Sequence, residues 1–124
     1  MKKILVVDDN PVSRELLCEL LGAPGREIAE AADGQEALQR IAADPPDLVL
    51  LDINMPVLDG YEVVARLRAE PRYAGLRVVA LTAFAMRGDR QRALQSGFDG
   101  YITKPVDGAT LRRQIRELLD NRTE

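Results

Sequence analysis

In this chain an acidic pair, a third acid, a hydroxyl and an amine each stand at the end of a short apolar run. Asp8 and Asp9 follow Ile4-Leu5-Val6-Val7, Asp52 follows Leu48-Val49-Leu50-Leu51, Thr82 follows Val78-Val79-Ala80-Leu81, and Lys104 follows Tyr101-Ile102-Thr103. In an open parallel α/β sheet, ligands bind outside the carboxyl ends of the strands. If the runs are strands of one such sheet, these groups share one rim. Carboxylates there can hold a divalent cation through oxygen, and a carboxylate beside the cation can attack phosphorus. A hydroxyl and an ammonium group can hold phosphoryl oxygens. The set points to a carboxylate that becomes phosphorylated, and so to phospho-signalling.

The elements that must position these groups are legible in the alternation of apolar runs with helical stripes. Asn10-Pro11 reads as an N-cap followed by proline at the first helical position. Val12, Leu16, Leu17, Leu20 and Leu21 form an apolar stripe with Arg14, Glu15 and Glu19 opposite, and Gly22 stops the helix. A short strand is expected over residues 27–32, then a helix capped by Asp33 with Ala37, Leu38 and Ile41 inward, ended by Asp44-Pro45-Pro46. The third strand is expected at 47–51. A helix capped by Asp59, with Val63, Val64 and Leu67 inward, ends at Pro71. A fourth strand at 76–82 precedes a helix near 86–96 that ends at Gly97. A last strand at 99–103 precedes a helix at 108–120, capped by Asp107, with Leu111, Ile115, Leu118 and Leu119 inward.

Five strand–helix repeats predict an α/β fold, a parallel sheet covered by helices on both faces. Crossovers are right-handed, so the winding must reverse once, and the common five-strand solution has order 2-1-3-4-5. Its switch point lies between strands 1 and 3, where Asp8, Asp9 and Asp52 emerge. At about 4 Å and an effective dielectric near 20, two carboxylates repel by about 4 kcal/mol. Three gathered together call for a cation, and Mg²⁺ suits an all-oxygen site beside a phosphate.

Val6-Val7-Asp8-Asp9-Asn10, Leu51-Asp52-Ile53-Asn54-Met55-Pro56, Asp59-Gly60, Leu81-Thr82-Ala83 and Lys104-Pro105 resemble, in order and spacing, the motifs of the response-regulator receiver domain. The resemblance covers essentially the whole chain, residues 1–124, as a single domain. The stretches Thr82-Ala83-Phe84-Ala85-Met86-Arg87-Gly88-Asp89 and Gly100-Tyr101-Ile102-Thr103-Lys104-Pro105 are most similar to DivK-type single-domain receivers and hybrid-kinase receivers. The resemblance implies that Asp52 is the phosphoacceptor. It implies that Asp9 binds Mg²⁺ directly, Asp8 largely through water, and the Asn54 backbone carbonyl completes the protein ligands. Thr82 and Lys104 would bind phosphoryl oxygens, Lys104-Pro105 would be a cis peptide, and Tyr101 would turn inward when the Thr82 hydroxyl moves. Phe84 and Asn54 would flank the approach of hydrolytic water, and the apolar Phe84 implies slow self-dephosphorylation. The partners implied are a histidine kinase or phosphotransfer protein and a downstream protein bound through the 86–120 face.

Each residue alone also has an ordinary role: Asp8-Asp9 as a solvated turn, Thr82 as a strand residue, Lys104-Pro105 as turn chemistry, Tyr101 as a core aromatic, Cys18 as a small core residue. Asp8, Asp9, Asp52, Thr82 and Lys104 in register at four strand ends are what the ordinary readings do not explain. A haloacid-dehalogenase-type phosphatase needs its second acid two residues after the first, where Asn10 stands here. A flavodoxin-like electron carrier needs a Ser/Thr-rich phosphate loop in place of Asp8-Asp9-Asn10-Pro11. A degenerate receiver acting only as an interaction module is a further alternative, to be decided by phosphorylation with a small donor.

Composition bounds the remaining possibilities. Apolar residues make up 46% and charged residues 30% of the 124, which suits one globular domain rather than a disordered chain. A net charge of −3 gives no general attraction to nucleic acid or anionic lipid. No apolar run approaches a membrane span, Asp8 and Asp9 interrupt any signal-peptide-like start, and Cys18 is the only cysteine, so the cytoplasm is the expected location. With no histidine, the chain is not itself a phosphohistidine donor. No segment after the last helix reads as an output domain, so output by protein binding is expected.

Overall fold

In the computed structural model, residues 2–55, 58–83 and 87–120 are described. The element order is β1 (Lys2–Val7), α1 (Pro11–Leu21), β2 (Arg26–Ala31), α2 (Gly34–Ala43), β3 (Leu48–Asp52), α3 (Gly60–Arg68), a 3₁₀ turn (Pro71–Tyr73), β4 (Arg77–Thr82), α4 (Asp89–Ser96), β5 (Gly100–Thr103) and α5 (Gly108–Asp120). The sheet is parallel in order β2-β1-β3-β4-β5, as the winding argument requires.

Side chains alternate across a pleated strand, and that alternation builds two cores. Ile4, Val6, Leu48, Leu50, Val79, Leu81 and Ile102 pack with Leu17 and Leu21 of α1 and Leu111, Ile115 and Leu119 of α5. Leu5, Val7, Val49, Leu51, Val78, Ala80 and Tyr101 pack on the opposite face with Ala37 and Ile41 of α2, Val63, Val64 and Leu67 of α3, and Ala93 of α4. β3 is buried along its whole length, which is why it reads as an unbroken apolar run.

The helix starts follow their caps. Asn10 Oδ1 accepts from the Val12 and Ser13 amides, and Asp33 accepts from the Glu36 amide. Asp59 and Glu62 form a reciprocal capping box. Other features depart from expectation. Gly22 ends α1 in an extended conformation (φ −63°, ψ 135°), so its conformational freedom is not used; Gly97 after α4 does use it, at φ 114°. Val12 and Leu16, expected inward, are 74% and 52% exposed, because α1 packs on the sheet through the buried Leu17 and Leu21, with Cys18 and Leu20 partly buried beside them. α4 begins at Asp89, later than expected, and of its expected stripe Ala93 is buried, Leu94 is 42% exposed and Met86 lies outside the described residues. α3 stops at Arg68, short of Pro71.

Arg68 has a role that its sequence context does not suggest. Its guanidinium donates to the Gly97 and Tyr73 carbonyls (2.9 and 3.0 Å) and to Asp99 Oδ2 (2.9 Å), and the same Oδ2 accepts from the Val78 amide (2.8 Å). This half-buried cluster ties the ends of α3 and α4 to the starts of β4 and β5. Asp99→Ala removes the acceptor shared by a guanidinium and a backbone amide. We expect it to lower the unfolding free energy by about 2 kcal/mol, measured by urea denaturation, with the opposite rim of the sheet unaffected.

Candidate functional site

Strand parity sorts the rim residues. Asp8 and Asp52 continue the alternation of Ile4, Val6 and of Leu48, Leu50, and Lys104 continues that of Ile102, so all three emerge on the α1/α5 side. Thr82 continues Val78 and Ala80 and emerges on the opposite side, with Tyr101, whose register partner is Ala80. The topology thus separates a charged cluster from a hydroxyl–aromatic pair across one strand end.

The carboxylates of Asp8, Asp9 and Asp52 each offer an oxygen within 4.8 Å of the others. Asp8 is fully buried and Asp52 is 4% exposed, whereas Asp9 faces solvent. Asp8 Oδ1 accepts from the Asn10 amide (2.9 Å), and Asp8 Oδ2 accepts from the Ser13 hydroxyl (2.7 Å) and the Lys104 ammonium (3.1 Å). Asp52 Oδ1 accepts from the Asn54 amide (2.9 Å), and its Oδ2 lies 3.4 Å from Lys104 Nζ. The Thr82 hydroxyl donates to Asn54 Oδ1 at 2.7 Å. The Lys104–Pro105 peptide is cis.

Burial raises the Asp52 carboxyl above its ordinary range; the Asn54 amide and Lys104 act against that, and the Asp8 charge reinforces it. For Lys104 burial acts downward, but the hydrogen bond to Asp8 and the charges of Asp52 and Asp8 leave the ammonium raised overall. Three carboxylates face one ammonium, a formal excess of two negative charges at a largely desolvated rim. A divalent cation balances that excess, and an all-oxygen donor set with one solvent-facing carboxylate fits a small, partly hydrated ion such as Mg²⁺.

Close approach of α3 shapes the loop after Asp52. A Cβ on Gly60 would meet Ile53 Cα at 2.7 Å and the Asp52 carbonyl at 3.0 Å, and the Gly60 amide donates to the Ile53 carbonyl (3.0 Å). Only glycine lets the helix start pass that near.

The acids, the hydroxyl and the amine expected at the rim are there. Tyr101, expected to turn inward when the Thr82 hydroxyl moves, is already inward, 8% exposed, while that hydroxyl still donates to Asn54, because its ring packs in the core of that face. Its own hydroxyl has no partner among the described residues. Pro56 and Phe84 lie outside the described residues. Ser13 and Arg14 were missed as contributors. Arg14, expected on the solvated face, donates to the Asp8 carbonyl (2.8 Å) and to Glu30 (2.9 Å). The legible signal was their place in the first turn after Asp8-Asp9, where a capped helix turns its side chains back on the preceding strand. Cys18 is half-buried beside Glu30, and burial above all pushes its thiol up to about 11, which leaves it protonated at neutral pH.

The sequence matches the profile of the response regulator receiver domain over residues 4–116. It is 38% identical over 105 residues to the polar-differentiation response regulator DivK of Brucella anthropi, covering 85% of each chain. It is 41% identical over 112 residues to the sensor histidine kinase RcsC of Salmonella typhimurium, covering 90% of this chain and 12% of RcsC. Among solved structures, the receiver domain of the sensor histidine kinase PA1611 of Pseudomonas aeruginosa superposes with a TM-score of 0.87 at 34% identity, covering 97% of this chain and 98% of that one. That structure has a magnesium ion coordinated in its active-site cleft.

Proposed function

This chain belongs to the response regulator receiver domain family of two-component signalling, and on that footing we propose that Asp52 is its phosphoacceptor in a Mg²⁺-dependent reaction. The observation that carries this reading is a buried Asp52 within reach of Lys104 and clustered with Asp8 and Asp9. The donor is a phosphohistidine of a histidine kinase or phosphotransfer protein. An Asp52 oxygen forms the new O–P bond as the P–N bond breaks, and the imidazole leaves with a proton taken from solvent. Self-phosphorylation from a small acyl phosphate follows the same displacement, with a carboxylate leaving.

Asp9, Asp52 and the Asn54 backbone carbonyl would hold Mg²⁺ directly, and Asp8 through water. When bound, the ion supplies positive charge to the phosphoryl oxygens. Lys104 neutralises a further oxygen, and Thr82 donates to another after leaving Asn54. The chain acts as a signalling acceptor, not as a turnover enzyme. No described helix is long and apolar enough to cross a membrane, and we place the protein in the cytoplasm.

Movement of Thr82 toward phosphate is transmitted to Tyr101 and α4, which share its side of the sheet. α4 is held by little burial, with Ala93 its only buried side chain among the described residues. A phosphate contact that differs by a few kcal/mol between two conformers shifts their ratio about 100-fold or more. A downstream protein therefore reads the face of α4, β5 and α5, whereas the exposed Val12 and Leu16 beside the rim suit docking of the phosphodonor. Amide exchange tests this arrangement: beryllofluoride with Mg²⁺ should alter residues 87–103 as well as the loops after β1 and β3. Arg90→Glu and Arg113→Glu should weaken capture of the downstream partner by tenfold or more, a loss of about 1.4 kcal/mol, with labelling of Asp52 intact. Silence at 87–103 would rule out the switch.

A further inference from the structure

We propose that Ser13 is a positioning residue of the cation site, acting through Asp8; this rests on the reading that the carboxylate cluster holds Mg²⁺. A carboxylate offers about four acceptor positions. Three on Asp8 are taken by protein donors: the Asn10 amide on Oδ1, and the Ser13 hydroxyl and Lys104 ammonium on Oδ2. One position is left, so a cation or its bound water meets the buried Asp8 from a single direction.

Of the three contacts that from Ser13 is the shortest, at 2.7 Å. It sets the plane of the carboxylate. It also shares Oδ2 with Lys104, which keeps the ammonium from closing fully on Asp8 and leaves it between Asp8 (3.1 Å) and Asp52 (3.4 Å). The local sequence provides the geometry. Asn10 caps α1, Pro11 occupies its first position, and the third helical residue, Ser13, points back along the axis toward the strand end. Arg14 in the same turn grips the Asp8 carbonyl. The first turn of α1 therefore holds both the main chain and the side chain of Asp8.

Removing a hydrogen-bond partner of a metal-binding group commonly costs 10–100-fold in metal affinity. Calorimetric titration of the full chain with MgCl₂ tests the role, comparing wild type, Ser13→Ala and Ser13→Thr, with urea denaturation of each in EDTA. Ser13→Ala should bind Mg²⁺ about tenfold more weakly, and Ser13→Thr, which keeps the hydroxyl, should recover most of that loss. Unchanged affinity in Ser13→Ala, or a loss that Ser13→Thr does not recover in a folded protein, overturns the proposal. A wild-type chain that takes up no Mg²⁺ overturns the cation reading itself, an outcome distinct from a normal wild-type isotherm that Ser13→Ala leaves unmoved.

Discussion

Phosphoramidate or acetyl phosphate with Mg²⁺ should add a phosphoryl group to the wild-type chain and none to Asp52→Asn, as read by intact mass. The amide of Asn keeps the shape and the contact with the Asn54 amide, so loss of labelling isolates the nucleophilic oxygen. EDTA should abolish labelling of the wild type as well. With two excess negative charges at the rim, an incoming phosphoryl group meets repulsion that a single Lys104 ammonium does not offset; at about 4 Å each uncompensated pair costs about 4 kcal/mol at an effective dielectric of 20, close to a thousandfold in rate. Asp8→Asn or Asp9→Asn should therefore slow labelling and raise the Mg²⁺ concentration needed. Equal labelling of wild type and Asp52→Asn would refute the assignment, and no labelling of the wild type would leave an interaction module.

Lys104→Met and Asp52→Asn should move stability in opposite directions. Met preserves the length of the Lys104 stem but leaves Asp8 and Asp52 without the ammonium that lies 3.1 and 3.4 Å from them. Removing one partner of a buried ion pair typically costs about 3 kcal/mol or more, so Lys104→Met in EDTA should lose about that much by urea denaturation. Mg²⁺ should restore part of it by replacing the missing charge. Asp52 behaves conversely. Its folded carboxyl is raised, first by burial, so its contribution is favourable below its unfolded pKa and is lost as pH rises through the folded value. At neutral pH the ionised group is a cost, and Asp52→Asn should be more stable than wild type without metal. That advantage should vanish as pH falls toward the unfolded carboxylate value, and shrink when Mg²⁺ is added. A Lys104→Met protein as stable as wild type in EDTA would mean that the ammonium does not compensate these carboxylates.

Much of the molecule was legible in the sequence because its signals are local. Apolar runs of four or five residues between capped, 3.6-periodic stripes specify strand and helix without reference to the rest of the chain. Right-handed crossovers then leave few sheet orders, and the order β2-β1-β3-β4-β5 brings Asp8, Asp9 and Asp52 to one switch point. The acids, the hydroxyl and the amine could be placed at the rim for the same reason: each stands at the end of a strand or within two residues of it.

What depended on tertiary structure was direction and company. Periodicity marked Val12 and Leu16 as part of an inward stripe, but how far α1 rolls over the sheet edge is set by packing of Leu17 and Leu21 against α5, and that left them exposed. Arg68 carries no signal in the sequence for its partners, because Gly97 and Asp99 lie 29 and 31 positions along the chain and only the fold brings them beside it. Asn54 was expected to contribute a backbone carbonyl; its side chain, which that expectation left out, accepts from the Thr82 hydroxyl, 28 residues away. Ser13 acquired its place on Asp8 only once the first turn of α1 was laid against the end of β1. Local sequence specifies which elements form and what each strand end carries. Which partner a polar group finds is decided by burial, because a buried donor or acceptor must take whatever complementary group the packed fold brings within about 3 Å.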